Sequence, residues 1–256
     1  MSFITVISPA KTQNFSPVQL PAATTEIRFA AESSRLVQAL QKQSVGKLQQ
    51  LMSVSEELAA LNYQRYQVYN SEENRQTAKA ALYAFEGDVY KSLEKDQYTA
   101  ETLTFAQQHL RILSGLYGLL RPLDKIEPYR LEMKTPLGMG KSANLYQFWG
   151  NKLLTLLEED AQEVKADTLV NLASVEYSKA LNLKKSHLAV ITPVFKEFKA
   201  GKLSTVAIFA KQARGAMANH ILQHKITQAD DLKNFSWGNY HYSPADSSPQ
   251  EWVFTR

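Results

Sequence analysis

Cysteine is absent from the 256 residues of this chain. Its absence excludes a disulfide framework, a thiolate nucleophile, a peroxide-reducing thiol, and zinc or iron–sulfur centres held by cysteine. It does not identify the cellular compartment.

The sequence also lacks an apolar run long enough to span a membrane. The short segment ITVIS near its start is followed at once by Ser8, Pro9 and Lys11, which is unlike a signal peptide. No internal repeat or low-complexity linker divides the chain, and 44% hydrophobic content suffices for a core. We expect one cytoplasmic domain over residues 1–256, without membrane contact.

Negative charge is scarce in one stretch of the chain. Between Lys179 and Arg214 there are eight lysines or arginines and one acid, Glu197, although the whole chain carries a net charge of only +4. Such a concentration of cations favours binding to a polyanion. The alternative is a solvated, lysine-rich sheet edge that resists aggregation.

Strand-like segments lie at the start of the chain and in its second half. FITVI at 3–7 is short, β-branched and stopped by Pro9, and it predicts a buried strand. The pattern predicts three further strands at 168–173, 187–195 and 202–210, with Ala200-Gly201 closing the last two into a hairpin. The tail EWVFTR supplies one more strand.

Helical spacing dominates residues 32–111, where Ser55 and Thr99 are candidate N-caps. Further helices are predicted after Ser142, taken as an N-cap, and over 211–226. This mixture indicates an α+β fold, a single domain in which a mixed sheet is surrounded by helices.

The segment FAQQHLRILSGLYGLLRPLDKIEPYRLEM, 105–133, combines an apolar stripe with a glycine-bracketed turn. Leucine, alanine and tyrosine residues from 103 to 120 recur at helical spacing, which predicts a buried helix face running into a turn at Gly115 and Gly118. The cations Arg111, Arg121, Lys125 and Arg130 flank this turn. Guanidinium groups beside free backbone N–H groups can hold an anionic backbone such as nucleic acid.

Polar side chains follow several apolar segments, where functional sites commonly lie. These are Lys11 after the first strand, Ser174, Glu176 and Lys179 after the strand at 168–173, Asp88 in the turn GDVY, and Lys211 with Arg214 after 210. The last pair is placed in the first turn of a helix, where free N–H groups attract anions.

Each of these positions also has a structural interpretation. Lys11 could be an exposed loop residue, Asp88 a helix cap, and Glu176 and Lys179 a surface ion pair. His220 and His224 have the i, i+4 spacing of metal ligands, but no third ligand of compatible spacing follows, and we predict neither a metal site nor a cofactor.

Taken together, several motifs resemble the YaaA family of peroxide stress response proteins. The segments that carry the resemblance are ISPAKT (7–12), FEGDVY (85–90), FAQQHLRILSGLYGLLRPLD (105–124), PYRLEM (128–133), LYQFWG (145–150), NLAS with EYSK (171–179), and KQARG (211–215). They extend over most of the chain.

The resemblance implies a cytosolic protein that helps cells survive hydrogen peroxide by limiting iron-driven DNA damage. It also implies a family-specific fold with a positively charged cleft and a helix-hairpin-helix element, which binds double-stranded and branched DNA with little sequence preference. We place that element at the turn from Leu113 to Leu119. Protein partners are not indicated.

Three functions remain open from the sequence. In the first, DNA phosphates are contacted by Lys11, Arg111, Arg121, Arg130, Lys179, Lys211 and Arg214, with Gly115 and Gly118 shaping the hairpin. In the second, an enzyme acts on a nucleotide or nucleic acid in the same cleft, using Asp88 or Glu176 beside Lys11 or Lys179. A third, an iron-binding protein, lacks a recognisable ligand cluster. Whether any reaction is catalysed is left open.

Overall fold

The computed structural model describes residues 2–199 and 201–256. Its helices are α1 (Ala30–Gln41), α2 (Val45–Met52), α3 (Glu56–Gln67), α4 (Glu72–Thr77), α5 (Ala81–Ala84), α6 (Ala100–His109), α7 (Leu145–Trp149), α8 (Lys152–Glu163), α9 (Val175–Ser178) and α10 (Ala207–Gln223). Across the described residues, every helix is too short or too polar to cross a membrane.

Its strands are β1 (Phe3–Ile7), β2 (Thr12–Gln13), β3 (Lys79–Ala80), β4 (Phe85–Glu86), β5 (Leu110–Ser114), β6 (Gly118–Leu120), β7 (Lys125–Ile126), β8 (Thr168–Asn171), β9 (Ala189–Lys199), β10 (Lys202–Ser204), β11 (His241–Tyr242) and β12 (Glu251–Thr255). Short 3₁₀ turns occur at Tyr90–Ser92, Lys95–Gln97, Lys179–Leu181, Leu183–Lys185, Ala229–Asn234 and Pro244–Asp246.

The main sheet has the order β11-β12-β9-β8-β1-β5-β6, and β10 pairs with β9. The adjacent strands β12, β9, β8, β1 and β5 run parallel to one another, whereas β6, β10 and β11 each pair antiparallel with a neighbour. β1 lies inside the sheet and all five of its residues are buried. An apolar strand buried on both faces is typical of a parallel sheet covered by helices, so the predicted mixed sheet among helices is confirmed.

The predicted strands at 3–7 and in the C-terminal tail are confirmed, and those at 168–173 and 187–195 correspond to β8 and β9. Ser55 and Thr99 cap α3 and α6 with their side chains, as predicted. The cap predicted at Ser142 is wrong, because Asn144 accepts the hydrogen bond from the Gln147 N–H at the start of α7.

The strand predicted at 202–210 is only partly correct. β10 ends at Ser204 and α10 begins at Ala207. A short apolar run such as AIFA fits a buried helix as well as a strand, and here Ala210, Ala213 and Met217 bury one face of α10. β9 and β10 do pair as an antiparallel hairpin, but Ala200 in the predicted turn lies outside the described residues.

The helix predicted through residue 120 is wrong beyond His109. Residues 110–114 form β5, which pairs with β1 on one side and β6 on the other, and all of them are buried. A strand that is buried on both faces is apolar at nearly every position, so its sequence also contains the three- and four-residue spacings of a buried helix face. The turn from Leu113 to Leu119 therefore joins two strands, so it is a β-hairpin and not a helix-hairpin-helix element. Helix pairs joined by short turns occur elsewhere, at α1–α2, α2–α3 and α7–α8 among others.

Candidate functional site

Four of the segments that the sequence singled out meet at one cavity of about 570 Å³. Its walls come from 8–13 after β1, 86–90 after β4, 129–132, 172–177 after β8, and one face of α10. β1 and β8 are parallel, with Val6 opposite Asn171, so both strands end at the same edge of the sheet. The topology thereby gathers loops that are far apart in sequence.

The cavity lies where the chain changes direction in the sheet. From β1 the chain continues to β5 on one side, and the next parallel strand, β8, lies on the other side of β1. In open α/β sheets, ligands bind outside the carboxyl ends of strands at such a switch point. The sheet thus places this cavity at the position where α/β proteins commonly hold ligands.

Two serines connect the loops that follow β1 and β8. The Ser174 N–H donates to Ser8 Oγ at 2.8 Å, and Ser8 Oγ donates to Ser174 Oγ at 3.2 Å. Tyr90 Oη donates to the Ser8 carbonyl at 2.9 Å. Ser174 occupies the N-cap position of α9, as predicted, but its side chain bonds to Ser8 and not to a helix N–H.

Glycine allows two walls of the cavity to approach each other closely. A Cβ at Gly215 in α10 would lie 1.9 Å from the Val89 carbonyl oxygen, and one at Gly115 would lie 2.2 Å from the Leu131 carbonyl oxygen. Gly215 therefore lets α10 pack against the segment that contains Asp88. Gly115 lets the β5–β6 turn pack against the segment that contains Arg130 and Glu132.

Glu132 is the centre of the ionic contacts on one wall. Its Oε1 lies 3.2 Å from Lys11 Nζ and 3.1 Å from an Arg130 nitrogen, and its Oε2 lies 3.7 Å from Lys134 Nζ. The Glu132 side chain is largely shielded, whereas Lys11 is 60% exposed. Arg130 is held by its backbone as well, because Tyr66 Oη donates to its carbonyl.

The wall formed by α10 presents Lys211 and Arg214. Lys211 Nζ lies 3.8 Å from Asp88 Oδ2, and the Lys211 side chain is 56% exposed. Arg214 has no hydrogen-bond acceptor and no carboxylate partner among the described residues, and its Nε is buried. Burial lowers the pKa of the Arg214 guanidinium from its ordinary value. The predicted position of this pair in a first turn is wrong, since α10 begins at Ala207.

Three tyrosines also stand at the cavity wall, and two of them, Tyr90 and Tyr129, are almost fully buried. Tyr90, Tyr129 and Tyr177 line the cavity. Burial raises the pKa of all three, with smaller contributions from neighbouring groups, so their hydroxyls remain protonated at neutral pH. Tyr129 Oη and Ser114 Oγ are 2.7 Å apart, which ties this wall to the end of β5.

Of the predicted phosphate contacts, Lys11, Arg130, Lys211 and Arg214 line the cavity, as do the predicted acids Asp88 and Glu176. The acids and lysines meet in combinations that the sequence did not indicate. Asp88 contacts Lys211, and Glu176 Oε1 accepts a hydrogen bond from the Lys134 N–H at 3.2 Å. Lys179 lies over the Tyr146 ring, with its Nζ 4.9 Å from the centroid.

Arg111 and Arg121 are engaged elsewhere. Arg111 is 2% exposed, and its Nε donates to Asp160 Oδ2 at 2.6 Å, so its predicted role as a phosphate contact is contradicted by burial. Arg121 pairs with the buried Asp124 at 2.9 Å. Gly118 has φ +72° and packs against Trp149 and Leu153, so it serves the β5–β6 hairpin and the core.

Sequence reasoning missed Glu132, Glu86 and the Ser8–Ser174 link. Glu132 lies inside the PYRLEM motif, two residues after Arg130. Its position close to a predicted phosphate contact was the signal that could have identified it. With Glu132 and Glu86 included, positive and negative side chains are equal in number around the cavity. The lining includes four cations, Lys11, Arg130, Lys211 and Arg214, and four acids, Glu86, Asp88, Glu132 and Glu176. The cleft is therefore not uniformly positive, and Arg214 is the lining cation left without an acidic partner in the described chain.

His220 and His224 lie side by side on α10, with ring centroids 4.6 Å apart. Over residues 2–199 and 201–256, no group of three or more histidines and acids is arranged to hold a metal ion. Burial, followed by the charge of His224, lowers the pKa of His220.

A family model described as "Peroxide stress protein YaaA" matches residues 3–246, a range that contains every wall of the cavity. A UPF0246 protein from Hahella chejuensis is 47% identical to this chain over 251 residues, covering 98% of both. UPF0246 proteins from Saccharophagus degradans and Cellvibrio japonicus are 43% and 44% identical, each over 98% of this chain and over 98% and 97% of their own lengths.

Proposed function

Because this chain belongs to the peroxide stress protein YaaA family, we propose that it is a cytoplasmic DNA-binding protein of the response to hydrogen peroxide. In this function it holds duplex and branched DNA with little sequence preference and shields the DNA from iron-driven oxidative damage. Without cysteine, protection of the target is better supported than removal of the oxidant.

The observation that carries the proposal is the unpaired Arg214 at a cavity whose exposed surface also includes Lys11 and Lys211. A phosphate oxygen satisfies guanidinium N–H groups with a matching geometry. The two lysines are more than half exposed, so they can reach a phosphate backbone that approaches the opening. Contacts to phosphates supply affinity but read little sequence, which accounts for the proposed indifference to sequence.

The carboxylates moderate this attraction. Lys211 and Lys11 are already near Asp88 and Glu132, so a phosphate must compete with those acids for each ammonium group. The affinity should consequently depend strongly on salt, because every contact is electrostatic and partly exposed.

A second DNA contact is proposed at α2 and α3, two helices joined by a short turn. Ser53 ends α2 in a left-handed conformation with φ +51°, and Ser55 caps α3. Lys47 in α2 is exposed, whereas Glu56 and Glu57 occupy the first turn of α3. Phosphate contact here would use Lys47 and the α2 side of the turn, since the acids repel anions from the start of α3.

A gel-shift titration over a salt series tests the proposal, with duplex, junction and single-stranded DNA as ligands. The double variant Lys11→Glu/Lys211→Glu should weaken binding to unrelated duplexes alike. The matched control is Lys225→Glu/Lys233→Glu, which makes the same change of charge at two lysines outside the cavity. Equal binding by the two double variants would remove the cavity from the proposal, and absence of binding by the wild type would refute it.

The second candidate is an enzyme that acts on a nucleotide or nucleic acid. It is favoured by the lysine–carboxylate contacts Lys211–Asp88 and Lys11–Glu132 within one cavity, because such pairs can exchange protons with a substrate. Incubation of labelled DNA and nucleotides with the wild type and with Asp88→Asn decides this: a product that only the wild type forms would establish the enzyme.

A further inference from the structure

Arg214 presents an unusual electrostatic situation within this fold. Its Nε is buried and meets no acceptor among the described residues, and Asp88, an acid that lines the same cavity, is in contact with Lys211. Buried N–H groups in proteins normally have a hydrogen-bond acceptor, because removing a donor from water without compensation costs free energy. The missing acceptor is best supplied by an anion that is not part of the chain.

The geometry of α10 favours an oxyanion with several oxygens. Lys211 and Arg214 are three residues apart, so they lie on one face of the helix, and both line the cavity. Guanidinium presents a planar fork of donors and ammonium adds a mobile point charge, a combination suited to phosphate.

The rest of the cavity is larger and more varied than a phosphate requires. About 570 Å³ lies within the range of roughly 300–1,000 Å³ that is typical for small organic ligands. Tyr177 is partly exposed and supplies aromatic surface, whereas Tyr90 and Tyr129 line the cavity but are nearly fully buried. The oxygens of Glu132 and Glu176 can accept hydrogen bonds from amino or hydroxyl groups. A ligand with a phosphate, a ring and hydrogen-bond donors matches all three properties.

We propose that this cavity binds one nucleotide, with its phosphate on Arg214 and Lys211 and its base and sugar beside Tyr177 and the carboxylates. The position at the β1–β8 switch point supports a nucleotide, since open α/β sheets hold such ligands there. The nucleotide is either a free mononucleotide or a residue extruded from a DNA strand. If the nucleotide is extruded from DNA, this inference rests on the proposed function; if the nucleotide is free, it does not.

One exposed side chain is placed to assist the extrusion of a nucleotide from DNA. Val175 borders the cavity and is 83% exposed. Apolar side chains of DNA-binding proteins can enter the space between bases when a base leaves the stack. Val175 is placed to fill such a gap beside the opening.

The first arm of the test uses free ligands and the intact protein. Deoxynucleoside monophosphates are titrated by calorimetry and by the shift in melting temperature, beside the unphosphorylated nucleosides and inorganic phosphate. A free-nucleotide source predicts a rise in melting temperature with the monophosphates, and much weaker effects of nucleoside or phosphate alone. Arg214→Met should weaken nucleotide binding by about 10- to 100-fold, since hydrogen bonds to a charged group are lost. Arg214→Lys should restore part of it, and Lys225→Met should bind as the wild type does.

The second arm uses a duplex with one unpaired 2-aminopurine, whose fluorescence increases when the base leaves the stack. Extrusion into the cavity predicts an increase on binding of the wild type and none with Arg214→Met at saturating protein. Val175→Ser should reduce the increase if Val175 fills the gap.

The outcomes separate this inference from the proposed function. Nucleotide binding that depends on Arg214, without binding to DNA, would support the inference and refute the DNA-binding function. Binding to DNA with no free-nucleotide binding and no fluorescence change would leave the DNA-binding function standing and overturn the inference. Inorganic phosphate that binds as tightly as the nucleotides would also overturn it, because Tyr177 and the carboxylates would then contribute nothing.

Discussion

Arg111 and Arg214 are two shielded arginines with opposite surroundings. Arg111 donates to Asp160 and to the carbonyls of Gln107 and Leu110, and Arg28 Nη1 donates to the other Asp160 oxygen at 2.6 Å. Arg214 borders the cavity and donates to no acceptor in the described chain. An arginine can therefore serve the fold or a ligand, and its partners decide which.

The largest effect is expected when Arg111 loses its charge. Arg111→Met leaves Asp160 buried with Arg28 as its remaining cation, which should lower the free energy of unfolding by about 3–5 kcal/mol. Urea denaturation measures the change. Unaltered stability would mean that the Arg111–Asp160 pair is not part of what holds α8 to the sheet.

The same pair should make stability depend on pH. Burial alone would raise the pKa of Asp160, but hydrogen bonds and charges from Arg111 and Arg28 outweigh it and hold that pKa below the ordinary value. A carboxyl with a lowered folded pKa stabilises the protein above its unfolded pKa, about 3.9, and that stabilisation is lost as the pH falls through the folded pKa.

The variant Asp160→Asn tests whether this stabilisation is lost as the pH falls. Its deficit in the free energy of unfolding relative to the wild type should be full at pH 6 and should shrink below about pH 4. Urea titrations at a series of pH values provide the comparison, and a deficit independent of pH would contradict the assignment.

A smaller loss is expected where α10 meets the segment at 87–90. Gly215→Ala places a methyl group 1.9 Å from the Val89 carbonyl oxygen and should cost about 1–3 kcal/mol, because the helix must shift. Gly46→Ala is the matched control: a Cβ there meets nothing within 4 Å, and the change should stabilise α2 by about 0.5–1 kcal/mol. Equal effects of the two variants in thermal melting would show that the close approach is unimportant.

The smallest effect on stability is expected at Arg214. Arg214→Met removes an unpaired charge while retaining an apolar side chain, so the free energy of unfolding should stay within about 0.5 kcal/mol of the wild type or rise. The identical substitution at Arg111 is the control. A large loss at Arg214 would mean that the guanidinium stabilises the fold, which would contradict its assignment to a ligand.

The sequence predicted the parts of the fold in which local pattern and tertiary surroundings agree. β1, the caps at Ser55 and Thr99, and the cluster of polar segments after strands belong to this group. It failed at 110–114, where burial on both faces of β5 makes strand and helix look alike, and at 207–210, where the apolar run AIFA is too short to distinguish a strand from the start of a helix.

The cavity was predictable only in part, because partners are set by long-range packing. Lys11, Lys211 and Asp88 were found from their positions after apolar segments. That Lys11 would meet Glu132, that Arg111 would meet Asp160, and that Gly215 would bring α10 against Val89 depends on contacts between distant segments, which no local pattern encodes.

The decisive measurement for a DNA contact at Arg214 is the salt dependence of duplex affinity in Arg214→Met. Loss of one phosphate contact should weaken binding at low salt and reduce the slope of log affinity against log salt by about 0.9. A folded Arg111→Met protein should retain the slope of the wild type. If Arg214→Met binds duplex DNA with the affinity and slope of the wild type, the unpaired guanidinium is not a DNA contact and the account is wrong.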